Sequence, residues 1–290
     1  MRGWWLPALV TLAACSDDNR VGPGTAPDAP TTLSSVSLDG AVALTWSDNP
    51  FQSDPNLFQN YRIYSTSYDL DNDRCGTDWQ LEGTTVAPEF VVGALDNGIP
   101  RCFTVTALSV DGAESDRSPT RPDTPRPDAR NVVLYAVQDR AEESGFRFWD
   151  DLNNDGDVQG SELGIVRSGN SGTVDFFVDR DAGGDLFLTP VRAGTGVEYA
   201  DPDNPVDDLT SIDFAPDQTY RTSGIQAVPG FGYIFEMDGL DGFKRYGAVR
   251  VTHVGQTFLI LDWAFQTDPG NPELMVTSGG RPLRRLRLPA

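Results

Sequence analysis

Six oxygen-bearing residues share one short stretch: Asp151, Asn153, Asp155, Asp157, Gln159 and Glu162, within Asp-Leu-Asn-Asn-Asp-Gly-Asp-Val-Gln-Gly-Ser-Glu. Their spacing fits the twelve-residue pattern D-x-[DN]-x-[DN]-G-x5-E. The chemistry is that of a hard divalent cation, which takes about six to eight oxygens at ~2.3–2.6 Å from alternate positions of a tight loop. Asp151, Asn153 and Asp155 would offer side-chain oxygens and Asp157 its backbone carbonyl. Gln159 would act through a water, and Glu162 would close the shell with both carboxylate oxygens. Gly156 permits the sharp turn, and Val158 stands where such loops face an aliphatic side chain inward. The expected ion is Ca2+ in a structural role; the competing expectation is an acidic, solvated β-connection.

Other chemistry finds less support. His253 is the sole histidine, and Val251 to Val254 reads as mid-strand, where a histidine is ordinarily structural. No Gly-x-Ser-x-Gly elbow, phosphate-cradling loop or zinc spacing is present. Asp69-Leu-Asp71-Asn-Asp73 opens like the first loop but lacks the glycine and the closing acid, and reads as a plain acidic turn. Trp149, Trp263, Tyr233 and Phe231 are candidates for a sugar-stacking platform, although most aromatics in a β domain are core.

The composition says which elements must position that loop. Acids outnumber bases 43 to 22, for a net charge of −21, and 34 of the acids are Asp. Aspartate belongs to turns and caps, glutamate to helices, so the acidity sits in loops between strands. With 29 Gly and 21 Pro and no helical stripe beyond about two turns, the chain reads as all-β. Such acidity repels a phosphate backbone, which argues against nucleic acid as a partner and for divalent cations.

The N-terminus carries one positive charge, Arg2, then an apolar run from Trp4 to Ala14, then Cys15 and an abruptly polar Ser-Asp-Asp-Asn. A core of about a dozen residues is a signal peptide, too short to span a bilayer. Leu12-Ala13-Ala14-Cys15 resembles the lipobox of bacterial lipoproteins. That resemblance implies cleavage after residue 14, a diacylglycerol on the Cys15 thiol, and fatty acylation of the new N-terminus. Ser16 in place of Asp favours the outer membrane or cell surface. Residues 15–29, dominated by Pro, Gly and Asp, read as a flexible tether. Cys75 and Cys102 then remain, and in an exported protein such a pair is expected to form a disulfide. A two-cysteine metal site is the alternative, with no histidine near it.

From residue 30 to 118 the apolar residues alternate, as in Val42-Ala-Leu44-Thr-Trp46, Tyr61-Arg-Ile63 and Phe103-Thr-Val105-Thr-Ala107. With Pro30, Leu33, Leu95 and the closing Gly112-Ala-Glu-Ser with Ser118, this stretch resembles a fibronectin type III domain, an immunoglobulin-like sandwich of about seven strands. One departure stands out. The family places a tyrosine six residues after the leucine held here by Leu95, and this chain has Arg101. A Cys75–Cys102 bridge would fasten that corner, with Cys102 facing outward if Phe103 and Val105 face the core. Closing the loop is expected to contribute about 3 kcal/mol.

Residues 119–130 hold four prolines and no large apolar residue, and are expected to be a stiff interdomain linker. Residues 131–278 form a second β-rich domain that carries the calcium-type loop. Its expected hairpins turn at Asp179 to Asp185, at Asp238 to Gly242 and at Gly255-Gln256. Asp262 to Asn271 is similar to the closing segment of uncharacterised bacterial surface lipoproteins, a likeness that brings no activity with it. Residues 279–290, with four arginines among the last ten, are expected to be a disordered basic tail.

The expected protein is a lipid-anchored, all-β component of the cell envelope. It would bind a glycan or another envelope protein without catalysing a reaction. A carbohydrate-active enzyme, or its accessory binding module, is the alternative, because acids are abundant and paired carboxylates hydrolyse glycosides. Scavenging of a small ligand such as haem is a third, weakened by the single histidine.

Overall fold

Alternation of side chains builds the first domain of the structure, a computed structural model that describes residues 24–153, 155 and 158–274. Strands β1 (Leu33–Leu38), β2 (Ala41–Trp46) and β6 (Glu89–Val92) form one antiparallel sheet. Strands β3 (Phe58–Asp69), β4 (Arg74–Cys75), β5 (Gln80–Thr85), β7 (Arg101–Ser109) and β8 (Arg121–Asp123) form the other, around β3 and β7. This is the two-sheet layout of a fibronectin type III domain. Val42, Leu44, Trp46, Tyr61, Ile63, Phe103, Val105 and Ala107 meet between the sheets. The Trp46 and Tyr61 rings lie edge to face, with centroids 5.3 Å apart.

The corner that lacks its tyrosine is fastened by other means. Leu95 N–H donates to the Gly40 carbonyl at 2.9 Å, and Asn97 accepts from Gly40 N–H at 2.9 Å while donating to Asp39 at 2.7 Å. Cys75 and Cys102 form a disulfide, with Cα atoms 5.7 Å apart. Cys102 lies on the face opposite Phe103, as alternation requires, but it is not exposed there. It is buried with Tyr68 and Leu70, and Phe214 of the second domain packs against this group. The end of the expected tether is also less free than its composition suggests. Pro27 is buried, and Asn49 donates to the Ala29 carbonyl at 2.9 Å.

The second domain is a sandwich of two five-stranded antiparallel sheets. Its strands are β9 (Asp128–Tyr135), β10 (Gly145–Trp149), β11 (Leu163–Arg167), β12 (Phe176–Arg180) and β13 (Leu186–Pro190). They continue with β14 (Gly196–Tyr199), β15 (Ile225–Gln226), β16 (Gly232–Asp238), β17 (Lys244–Val254) and β18 (Phe258–Gln266). The sheet orders are β11-β10-β12-β13-β15 and β14-β16-β17-β18-β9. Aromatic rings fill the space between them. Phe148 contacts Phe146, Phe176, Phe235, Trp263 and Phe265, and Phe176 stacks on Phe235 at 4.6 Å. A Cβ on Gly247 would sit 2.6 Å from the Phe148 ring, so close packing holds that position to glycine. The far face of the second sheet is covered by residues 200–224, through Leu209, Ile212, Ala215 and Tyr220.

The stretch expected to be a stiff interdomain linker is a buried strap. Its first part is β8, paired with β7, and its last part begins β9, paired with β18. Between them Asp123, Thr124 and Arg126 are all but inaccessible. The strap is closed over by residues 266–274, another polar segment with little exposure. Thr124 donates to Glu273 at 2.8 Å, Asn271 donates to Thr124 at 3.3 Å, and Arg126 Nε donates to the Leu274 carbonyl. Burying polar groups is tolerable when they are hydrogen-bonded, and the two segments supply part of that need for one another, although Arg126 Nη1 and Glu273 Oε1 are buried without a hydrogen bond. No helix among the described residues is long and apolar enough to cross a membrane.

Candidate metal loop and adjoining pocket

The calcium-type sequence forms the connection between β10 and β11. It is a hairpin loop, closed at its base by Asp150 N–H donating to the Glu162 carbonyl at 2.9 Å. Its first half curls around one centre. Asp155 N–H donates to Asp151 Oδ1 at 3.1 Å and to Asn153 Oδ1 at 3.0 Å. Asp155 Oδ2 accepts from Asn153 Nδ2 at 2.8 Å and from Gln159 Nε2 at 3.0 Å. The last position turns back inside the loop, where Glu162 is only 2% exposed. Glu162 accepts from Leu152 N–H at 3.0 Å, from Gln159 N–H at 3.3 Å and from Trp149 Nε1 at 3.4 Å.

Five of the six expected ligands, Asp151, Asn153, Asp155, Gln159 and Glu162, are thus linked in one hydrogen-bonded network, Glu162 through the Gln159 N–H. Asp157 lies outside the described residues. Among the described residues no group of three or more His, Cys, Asp or Glu is close enough to hold a metal ion. The loop is rich in oxygens and its closing acid is buried, which is the donor chemistry a hard cation takes. Cys15 and the basic tail also lie outside the described residues.

A pocket of about 320 Å³ opens beside the loop, between β10 and the β16–β17 hairpin. Its walls include Trp149, Asp151 and three arginines, Arg147, Arg192 and Arg245. Arg147 pairs with Asp150 at 3.0 Å and donates from Nε to the Trp149 carbonyl at 2.8 Å; Arg167 grips the same Asp150 at 2.9 Å. These contacts tie the start of the loop to the pocket wall. Arg192 pairs with Asp175 at 2.8 Å and donates to the Asp238 carbonyl at 3.1 Å.

Asp175 has no exposed surface, and burial raises its pKa, against the lowering influence of Arg192 and the Phe148 N–H. Both of its oxygens are engaged: Oδ1 by Arg192 Nε at 2.8 Å and Oδ2 by Phe148 N–H at 2.9 Å. A general acid must present a proton to its substrate, and this carboxyl spends its oxygens on the scaffold. Sequence reading did not single out Asp175, although an aspartate between core residues Val174 and Phe176 was a usable signal.

The candidate aromatic platform does not assemble. Tyr233 is fully buried and Trp263 is 5% exposed, because both point between the sheets from central strands. Only Trp149 of the four lines the pocket. His253 sits exposed at an irregularity in β17, with its ring 5.6 Å from that of Phe258, away from the pocket. The Asp69–Asp73 stretch is a turn in which Asn72 donates to Asp69 at 2.7 Å and Tyr68 to Asp73 at 2.7 Å.

No protein-family profile matches the chain, and no curated protein matches it. Among solved structures, a fibronectin type III-like protein from Clostridium thermocellum is 19% identical over 34% of this chain and 92% of its own, with a TM-score of 0.26. The FN5 domain of Drosophila Lar is 18% identical over 34% of this chain and 96% of its own, with a TM-score of 0.27. A spore cortex lytic enzyme from Clostridium perfringens is 20% identical over 34% of this chain but only 28% of its own, with a TM-score of 0.25. Likenesses of this size concern fold alone, and they bring no activity to this chain.

Proposed function

We propose that this chain is a lipid-anchored cell-envelope protein that binds a glycan or an envelope partner and does not catalyse a reaction. The Leu-Ala-Ala-Cys ending at Cys15 supports the anchor. The first sandwich serves as a spacer, and the second domain presents the binding surface. Ca2+ in the loop from Asp151 to Glu162 braces that surface. The observation that supports this reading is the loop itself, in which Asp155 N–H gathers Asp151 and Asn153 and the buried Glu162 accepts from Leu152 N–H, beside an open pocket. The saturation of Asp175 by scaffold donors supports binding over acid–base chemistry.

The test uses the whole protein in cells and the mature chain on a support. The wild type is expected to fractionate with membranes and Cys15→Ala with the soluble material, because a thioether-linked lipid is lost with the thiol. The immobilised mature chain is expected to retain a component of an envelope extract or a glycan preparation. Retention of nothing from either, by calcium-loaded and folded protein, overturns the binding function.

A further inference from the structure

The pocket beside the loop has an unusual combination of linings. Its charged groups are largely matched to one another before any ligand arrives, as Arg147 is with Asp150 at 3.0 Å and Arg192 with Asp175 at 2.8 Å. Arg245 is held by Asp241 at 2.6 Å, is 7% exposed, and keeps its Nε buried without a protein partner. The arginines are therefore not a free positive cluster, and Asp150, Asp151, Asp175 and Asp238 line the same space. A phosphate or carboxylate ligand needs surplus positive charge, which carboxylates on the same walls oppose. A wholly apolar ligand would strip water from these groups with nothing in return. A polyhydroxylated ligand fits, because each hydroxyl both donates and accepts and can meet arginine and aspartate alike.

The rim supplies the other half of sugar recognition. Trp149 offers a half-buried ring in the wall. Leu240 lines the pocket from the tip of the β16–β17 hairpin, is 83% exposed, and has φ +62°. That backbone region is uncommon for residues other than glycine and an outlier for a bulky one. Asp238 Oδ1 holds the conformation by accepting from Leu240 N–H at 2.8 Å, with Gly239 and Gly242 on either side. A leucine that is both exposed and conformationally costly contributes nothing to the core, and it stands on the rim of the pocket. We propose that this pocket is a binding site for a neutral saccharide. Leu240 and Trp149 pack on the apolar face of a sugar ring, and the arginine–aspartate pairs reach its hydroxyls. This rests on the binding function above and names its ligand class.

The test is calorimetric titration of the calcium-loaded mature chain with cello-, chito-, malto- and laminari-hexaoses, with an oligo-hexuronate and inorganic phosphate as further arms. At least one neutral hexaose is expected to bind, and Leu240→Asn, which tolerates positive φ, is expected to weaken it tenfold or more. The melting temperature of that variant should be unchanged or higher, which a core residue would not allow. Leu240→Met, which keeps the apolar surface, should retain binding. Binding of only the hexuronate or phosphate, no saccharide binding, or equal affinity in Leu240→Asn each overturns the proposal. If no saccharide binds but an envelope protein is retained, only the saccharide site falls; if neither is retained, the binding function falls with it.

Discussion

Arg126→Met is expected to cost about 3–5 kcal/mol of stability, the usual penalty for removing one partner from a buried charge network. Arg126 is 1% exposed, donates to the Leu274 carbonyl, and lies among Asp128, Asp123 and Glu273. Burial lowers its own pKa to about 10, so it stays charged at neutral pH. Without it, Asp123 and Glu273 lose a compensating charge where water cannot replace it. The interface between the domains should therefore open first, seen as a less cooperative melt by calorimetry. A change within about 0.5 kcal/mol, the range of an ordinary surface site, would contradict this account of the strap.

The same network sets a pH dependence whose sign can be worked out. Burial raises the Glu273 pKa well above its ordinary value, and the nearby Asp123 adds to the rise. A carboxyl whose folded pKa is raised binds its proton more tightly when folded. Its contribution is fully present below the unfolded pKa of about 4.3 and is lost as pH climbs toward the folded value. Glu273→Gln, which keeps an acceptor for Thr124 without the charge, should stabilise the protein more at pH 8 than at pH 5. It should also recover part of the Arg126→Met loss, again more at the higher pH. Equal effects at both pH values would show that Glu273 carries no buried charge.

Removing the disulfide is the second large effect. Cys75→Ala with Cys102→Ala is expected to lower stability by about 3 kcal/mol, because the 27-residue separation is then free to expand in the unfolded chain. Alanine leaves no unpaired polar group at Cys102, which is fully buried. The loss should reach beyond the first domain. Cys102 shares its cluster with Tyr68 and Leu70, and Phe214 of the second domain packs on it. The double alanine variant and Arg126→Met should accordingly combine non-additively, as neighbouring perturbations do. Denaturant titration of the two variants and their combination measures this directly; simple additivity would separate the corner from the interface.

The first sandwich was legible because its signal is local. Val42, Leu44 and Trp46, or Phe103, Val105 and Ala107, announce a buried face within five residues, and the structure places each of them in the core. The hairpin turns of the second domain were legible for the same reason, through glycines and aspartates between apolar runs. The strap was not. Arg126, Thr124, Asn271 and Glu273 look like solvated residues because their partners lie 147 to 149 positions away. Burial of polar groups depends on pairing across the fold, and no local pattern announces it. Trp263 and Tyr233 are core, as the sequence favours for aromatics in a β domain, because an aromatic on an inner strand of a two-layer sandwich has two faces to choose from and both take the inner one. The loop itself was written in the sequence, whereas its position against Arg147, Arg192 and the hairpin of Leu240 required the fold.

The proposed Ca2+ site in the loop is tested by a thermal melt of the mature chain in millimolar calcium and in chelator. An ion that binds only the folded state raises stability by about 2.7 kcal/mol at a hundredfold excess over Kd. A higher melting temperature in calcium is expected for the wild type, and no difference between calcium and chelator for Asp151→Ala. No shift in the wild type, or the same shift in Asp151→Ala, would contradict it and reduce Asp151 to Glu162 to an acidic hairpin turn.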